Sequence, residues 1–95
     1  MAGLLLTLIA RVPPDGVAAF QAYEDAVLPL LPEYGGALER RLRNADGTNE
    51  LHIVRFGSRA GFERFRGDPR RSAAAPLLQR SGAVIEMMEL HDVDG

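Results

Sequence analysis

An α+β fold of the order strand, helix, strand, strand, helix, strand is predicted by three observations. The chain starts with an apolar run suited to a strand, continues with an apolar stripe at helical period, and then carries an Asp46-Gly47 turn signal between two further strand-like runs. The segment from Val27 to Gly36, reading V-L-P-L-L-P-E-Y-G-G, separates the first helix from the second strand, because two prolines and a glycine pair cannot continue a helix.

Gly3 to Arg11 is apolar on both faces except at Thr7, the pattern of a central strand covered on both sides. Pro13-Pro14 ends it, and proline at the first helical turn with Asp15 beside it starts a helix. Along that helix Val17, Phe20, Tyr23, Val27, Leu30, Leu31 and Tyr34 form one stripe that packs on a sheet. Pro29 and Pro32 each remove a hydrogen bond, which predicts a kink or a short second helical piece before Tyr34.

Ala37 to Arg43 and Glu50 to Gly57 form a hairpin around the Asp46-Gly47 turn. Glu39, Arg40, Arg41 and Arg43 give the first of these strands the charge load of a protected edge. The second, with Leu51, Ile53, Val54 and Phe56, reads as interior. Ser58 caps a helix carrying Phe62 and Phe65, and Asp68-Pro69 restarts helical structure that Pro76 is expected to limit. After the Ser81-Gly82 break, Ala83 to Val93 reads as the last strand.

Right-handed crossovers place the first and third strands side by side and the second and fourth at the edges. The result is a ferredoxin-like βαββαβ domain: a four-stranded antiparallel sheet with its helices on one face. Residues 1–95 form a single domain, and a chain this short buries only roughly 60 to 65% of its unfolded surface. A second copy of the sheet would cover the face without helices, so a two-fold homodimer is expected, with the arginine-rich second strand of one subunit near Glu86 and Glu89 of the other.

Several functions are excluded by residue type. With no cysteine there is no disulfide, thiolate nucleophile or Cys-based zinc site, and a reducing cytoplasm fits. The run from Met1 to Ala10 has no basic residue ahead of it and is too short to span a bilayer, so it reads as a strand and no membrane partner is expected. A net charge of −2 argues against nucleic acid, and Ile53-Val54-Arg55-Phe56 matches only the tail of the aromatic RNA-recognition motif. No serine lies in a G-x-S-x-G elbow, and Gly35-Gly36 follows a helix where a phosphate loop would precede one.

Tyr23-Glu24, Tyr34-Gly35-Gly36, Phe56 followed by Ser58, Phe62 with Phe65, and Asp68-Pro69 together resemble a known set. Over roughly residues 4 to 92 the chain resembles the dimeric α/β barrel superfamily, nearest the group named domain of unknown function 1330, with the antibiotic-biosynthesis monooxygenase group as a cousin. These motifs shape the backbone and so specify fold more than activity. Where the group often has tryptophan in the second helix and tyrosine after the proline, Phe65 and Arg70 stand here.

The candidate catalytic residues are His52 and Glu24. A histidine titrates in the neutral range, and Glu24 sits one helical step from the apolar stripe, at the border of a cleft between helix and sheet. Desolvated there, its carboxyl would serve as a base; turned outward, it would be a solvated flank residue. Tyr23 and Tyr34 are expected to point into the same cleft as ligand-binding residues, with Arg55 as a third. Strand alternation groups His52 with Val54 and Phe56, opposite Leu51, Ile53 and Arg55, and leaves open which group faces the helices. His91-Asp92-Val93-Asp94 reads as a frayed acidic end, and no metal or cofactor is expected. The main functional expectation is a small-molecule binding or accessory protein. The alternative that the resemblance implies is a cofactor-independent monooxygenase, cyclase or isomerase acting on an aromatic or polyketide-like substrate. An open cleft with polar tips favours either; one filled by Phe20, Phe62 and Phe65 would leave a structural dimer.

Overall fold

Prolines and caps divide the chain where the sequence places them. The computed structural model describes residues 3–93. Strand β1 (Leu4–Arg11) leads through a 3-10 turn at Pro14–Gly16 into α1 (Val17–Val27), followed by a 3-10 segment, Leu28–Tyr34. Then come β2 (Gly36–Arg43), β3 (Asn49–Phe56), α2 (Arg59–Arg66), α3 (Pro69–Ser81) and β4 (Val84–Leu90). The four strands form one antiparallel sheet in the order β2-β3-β1-β4, with the helices on one face. Among the described residues no helix is long and apolar enough to cross a membrane.

Pro29 and Pro32 cannot donate the bonds an α-helix needs, so the chain tightens after Val27 into 3-10 geometry. Gly35 closes it at φ 74°, a conformation that glycine adopts without steric cost. The second helical region is two helices. Ser58 Oγ accepts from the Gly61 amide at 3.0 Å to open α2, and Asp68 Oδ1 accepts from the Arg70 amide at 2.7 Å to open α3. Pro76 does not end α3, which runs on to Ser81; Ser72 and Pro76 are both exposed, so the lost hydrogen bond strands nothing in the core. Beyond Leu90 the strand stops three residues short of the expected Val93.

On β1, Leu4, Leu6, Leu8 and Ala10 face the helices, paired across with Phe56, Val54, His52 and Glu50. Leu6, Val54, Phe56, Val27, Phe62 and Phe65 make the centre of the main core. A bulge at Glu39, between Leu38 and Arg40, sets what β2 presents. Two residues of β2 advance past one of β3, so Arg41 and Arg43 stand beside His52 and Glu50 on the helix side while Leu42 turns outward. The opposite sheet face has no helix over it, and there Leu42 is 44% exposed, Met88 50% and Val84 62%.

Candidate functional site

Alternation along β3 aims Glu50 and His52 at the same side as Val54 and Phe56, toward the helices. From α1, Phe20, Tyr23, Glu24 and Val27 are buried against that side. Between them lies a cavity of about 250 Å³, walled mainly by apolar groups such as Leu6, Leu8, Phe20, Val54, Phe56 and Leu78. A cavity of about 150 Å³ accepts benzene, so this one has room for a substituted ring system. Five polar side chains reach it: Tyr23, Glu24, His52, Arg66 and Arg71.

Glu24, Glu50 and His52 are 3%, 2% and 2% exposed. His52 Nε2 lies 2.5 Å from Glu50 Oε2 and 3.1 Å from Glu24 Oε2. From the half-exposed β2 edge, Arg41 Nε donates to Glu50 Oε2 at 2.9 Å and Arg41 Nη2 to Glu24 Oε1 at 3.1 Å, while Arg43 Nε donates to Glu50 Oε1 at 2.7 Å. Isolated buried carboxylates would be prohibitively costly; here two guanidinium groups and an imidazole compensate them.

The two carboxyl groups are driven apart in acidity. Burial raises Glu24 above the ordinary carboxyl range, and the neighbouring Glu50 adds to this against the opposing pull of His52. Burial also acts on Glu50, but hydrogen bonding with Glu24, His52, Arg43 and Arg41 overcomes it and holds Glu50 well below the usual range. Burial works against a charged His52 too, yet the hydrogen bonds to Glu24 and then Glu50 raise it above the ordinary imidazole value. Glu50 is thus the fixed anion, set behind His52, whereas Glu24 and His52 face the cavity and can exchange a proton with what occupies it. Glu24, Glu50 and His52 also have donor atoms within 4.8 Å of one another, a set that could ligate a cation, but both oxygens of Glu50 already accept from guanidinium groups.

Of the residues singled out in the sequence, Glu24, His52 and Tyr23 meet at this cavity. Tyr34 does not. Its 3-10 segment turns every three residues, which rotates Tyr34 off the α1 stripe; its hydroxyl instead donates to Asp68 Oδ2 at 2.5 Å, and that bond raises the phenol above its ordinary value. Arg55 does not reach the cavity either, because alternation puts it on the opposite sheet face, where its Nε donates to Glu39 Oε2 at 2.9 Å. His91 and Asp92 are exposed beyond β4, and Asp94 lies outside the described residues. Of the groups expected to meet between the second strand of one subunit and the last strand of another, Arg41 turns inward, and within the chain Glu86 accepts from Arg11 and Glu89 from Arg59 at 2.8 Å. Phe20, Phe62 and Phe65 form walls and leave the cavity open. Glu50, Arg41, Arg43, Arg66 and Arg71 are the residues sequence reasoning missed. Glu50 was within reach, two residues before His52 on the same face; the two β2 arginines depended on a bulge that no residue pattern marks.

No protein-family model matches the chain, and no curated protein does. Solved structures do. Rv0793 from Mycobacterium tuberculosis is 22% identical with a TM-score of 0.77, covering 99% of this chain and 98% of its own. SnoaB from Streptomyces nogalater, named a cofactor-independent oxygenase, is 15% identical with a TM-score of 0.78, covering 100% and 97%. A putative antibiotic biosynthesis monooxygenase from Caulobacter crescentus is 13% identical with a TM-score of 0.74, covering 96% and 92%. At such identities the likeness is one of fold alone: the four-stranded antiparallel sheet with helices on one face, shared over nearly the whole chain.

Proposed function

We propose that the protein binds a small, largely apolar molecule in the cavity between α1 and the sheet and exchanges a proton with it through Glu24 and His52. The observation that carries this reading is the pairing of an open apolar cavity with two buried ionisable groups at its wall, one carboxyl and one imidazole. In the deprotonated state Glu24 or His52 takes a proton from an acidic C–H or O–H of the ligand, and Glu50 balances the positive charge that develops on the imidazole. Apolar walls exclude water and strengthen these interactions.

The likeness in fold to a protein named as a cofactor-independent oxygenase supports a second, more specific reading. Removing a proton from an aromatic or polyketide-like substrate creates an electron-rich carbanion, the species that oxygenation, cyclisation or isomerisation without a cofactor would start from. The exposed Leu42, Val84 and Met88 on the bare sheet face support assembly as a homodimer, the net charge gives no support to a nucleic-acid partner, and the absence of cysteine fits a cytoplasmic location.

The test is a screen of phenols, anthrones and reactive β-keto compounds with binding, product and oxygen uptake all followed, then repeated on Glu24→Gln and His52→Ala. Each substitution is expected to slow turnover by about 10²- to 10⁴-fold while binding changes far less. Turnover at the wild-type rate in both variants overturns the proton-transfer reading. Binding without turnover of any compound reduces the function to binding alone.

A further inference from the structure

The cavity is lined by two cations that the proton-transfer network does not use, Arg66 and Arg71, and the second is the better placed for a ligand. Arg71, on α3, stacks its guanidinium 4.8 Å from the centre of the Phe65 ring, donates from Nη2 to the Tyr23 hydroxyl at 3.2 Å and from Nη1 to the Arg66 carbonyl at 3.3 Å. All three partners are neutral. Its Nε is buried and has no acceptor among the described residues, and no carboxylate among them pairs with it. The next residue along the chain shows the contrast: Arg70 is held by both Glu33 and Asp68. Arg66, the other arginine at the cavity, lies over the Phe62 ring at 5.5 Å and among the described residues pairs with no carboxylate but the exposed Glu63 at 3.5 Å, so the site has a surplus of positive charge at this end.

Its place along the cavity matters. Phe65, under Arg71, packs 5.6 Å from Phe56, and Phe56 lies four residues beyond His52 on β3, roughly 13 Å away at the rise of a strand. An apolar wall that includes Val54 separates the two polar ends. A fixed guanidinium that lines the cavity, already stacked and oriented and with no carboxylate paired to it among the described residues, fits the planar oxygens of a carboxylate better than any neutral group.

Resting on the cavity reading above, we infer that the ligand is an aryl carboxylate: an apolar ring body with an anionic head that Arg71 receives, the ring lying along the apolar wall in the direction of Glu24 and His52. Arg71 is then the residue that orients the molecule and selects acids over their neutral analogues.

Calorimetric titration of benzoate and naphthoate against benzamide and naphthamide tests this, on the wild type and on Arg71→Met and Arg71→Lys. Wild type is expected to bind the acids at least about tenfold more tightly than the amides. Arg71→Met, which keeps the packing on Phe65, is expected to lose that preference and bind acid and amide alike; Arg71→Lys, which keeps the charge without the fork, should retain part of it. Equal binding of acid and amide by the wild type overturns the inference while leaving the cavity reading in place, as does an equal loss of both ligands in Arg71→Met, which would mark Arg71 as packing alone. Binding of neither acid nor amide by the wild type overturns this inference, while the cavity reading stands or falls on the screen described above. Should Arg71→Met fail to fold, the wild-type comparison and Arg71→Lys decide the matter by themselves.

Discussion

Glu50 is the residue on which the buried network turns, because it accepts from Arg41, Arg43 and His52 together. Glu50→Gln keeps the shape and removes the charge. At neutral pH it is expected to cost about 2 to 3 kcal/mol in urea unfolding, below the range for a fully buried pair because both arginines are partly exposed. The pH profile carries the same signature. Glu50 is depressed on folding, so its contribution is present above its unfolded value of 4.5 and is lost as pH falls through the lower folded value. Glu24 and His52 are raised on folding, so their contributions are present below their unfolded values of 4.5 and 6.5 and are lost as pH rises beyond them. Wild-type stability should therefore be greatest near about pH 4.5 and decline as pH rises past it and again beyond about 6.5, and Glu50→Gln should flatten the acid limb; an acid limb unchanged in the variant would remove Glu50 from this role. Glu24 and His52 were legible in the sequence from helical and strand periodicity. Glu50 and the arginines were not, since charged residues at a strand start and on an edge strand ordinarily face water.

At the level of elements, punctuation carried nearly all of the information. Pro13-Pro14, Pro29, Pro32, Gly35, Ser58, Asp68 and Gly82 mark the boundaries where they are found, each by a backbone constraint that acts locally. What stayed illegible was rotational: the 3-10 winding that carried Tyr34 out of the cavity, and the Glu39 bulge that swung Arg41 and Arg43 to the helix side of the sheet, beside His52 and Glu50. The prolines announce the winding without its angle, and the bulge depends on how β2 pairs with β3. One further contact depends on how distant segments meet. Gly16, at the entry to α1, lies so close to the end of α3 that an added Cβ would meet the Ser81 carbonyl oxygen at 1.9 Å. Because the obstacle is backbone, Gly16→Ala is expected to push α1 and α3 apart and cost at least about 2 kcal/mol in chemical denaturation. A variant as stable as wild type would mean that the two helices slide freely past each other.

For the molecule as a whole, the sheet is finished on one side only. Helices cover Leu4, Leu6 and Phe56, whereas Leu5, Ile9, Leu51 and Ile53 on the other side are only half-buried and run into the exposed Leu42, Val84 and Met88. An apolar face of this extent on so small a domain favours a second copy. Sedimentation at micromolar concentration is expected to give a dimer for the wild type and a monomer for Met88→Glu, which places a charge on that face without touching the cavity. A wild-type monomer would contradict the assembly.

The element order contains the same unit twice. β1-α1-β2 is one strand-helix-strand unit and β3-α2-α3-β4 another, joined by the turn at Asn44–Thr48, and each supplies one of the two central strands. Neither owns the chemistry. Tyr23, Glu24, Arg41 and Arg43 come from the first unit; Glu50, His52, Phe65 and Arg71 come from the second. The buried charge network and the cavity therefore exist only at the seam where the two units meet. Any separation of them, by a cut, a slipped register or an inserted domain at the turn, would leave each unit with one half of that network and no partner to complete it.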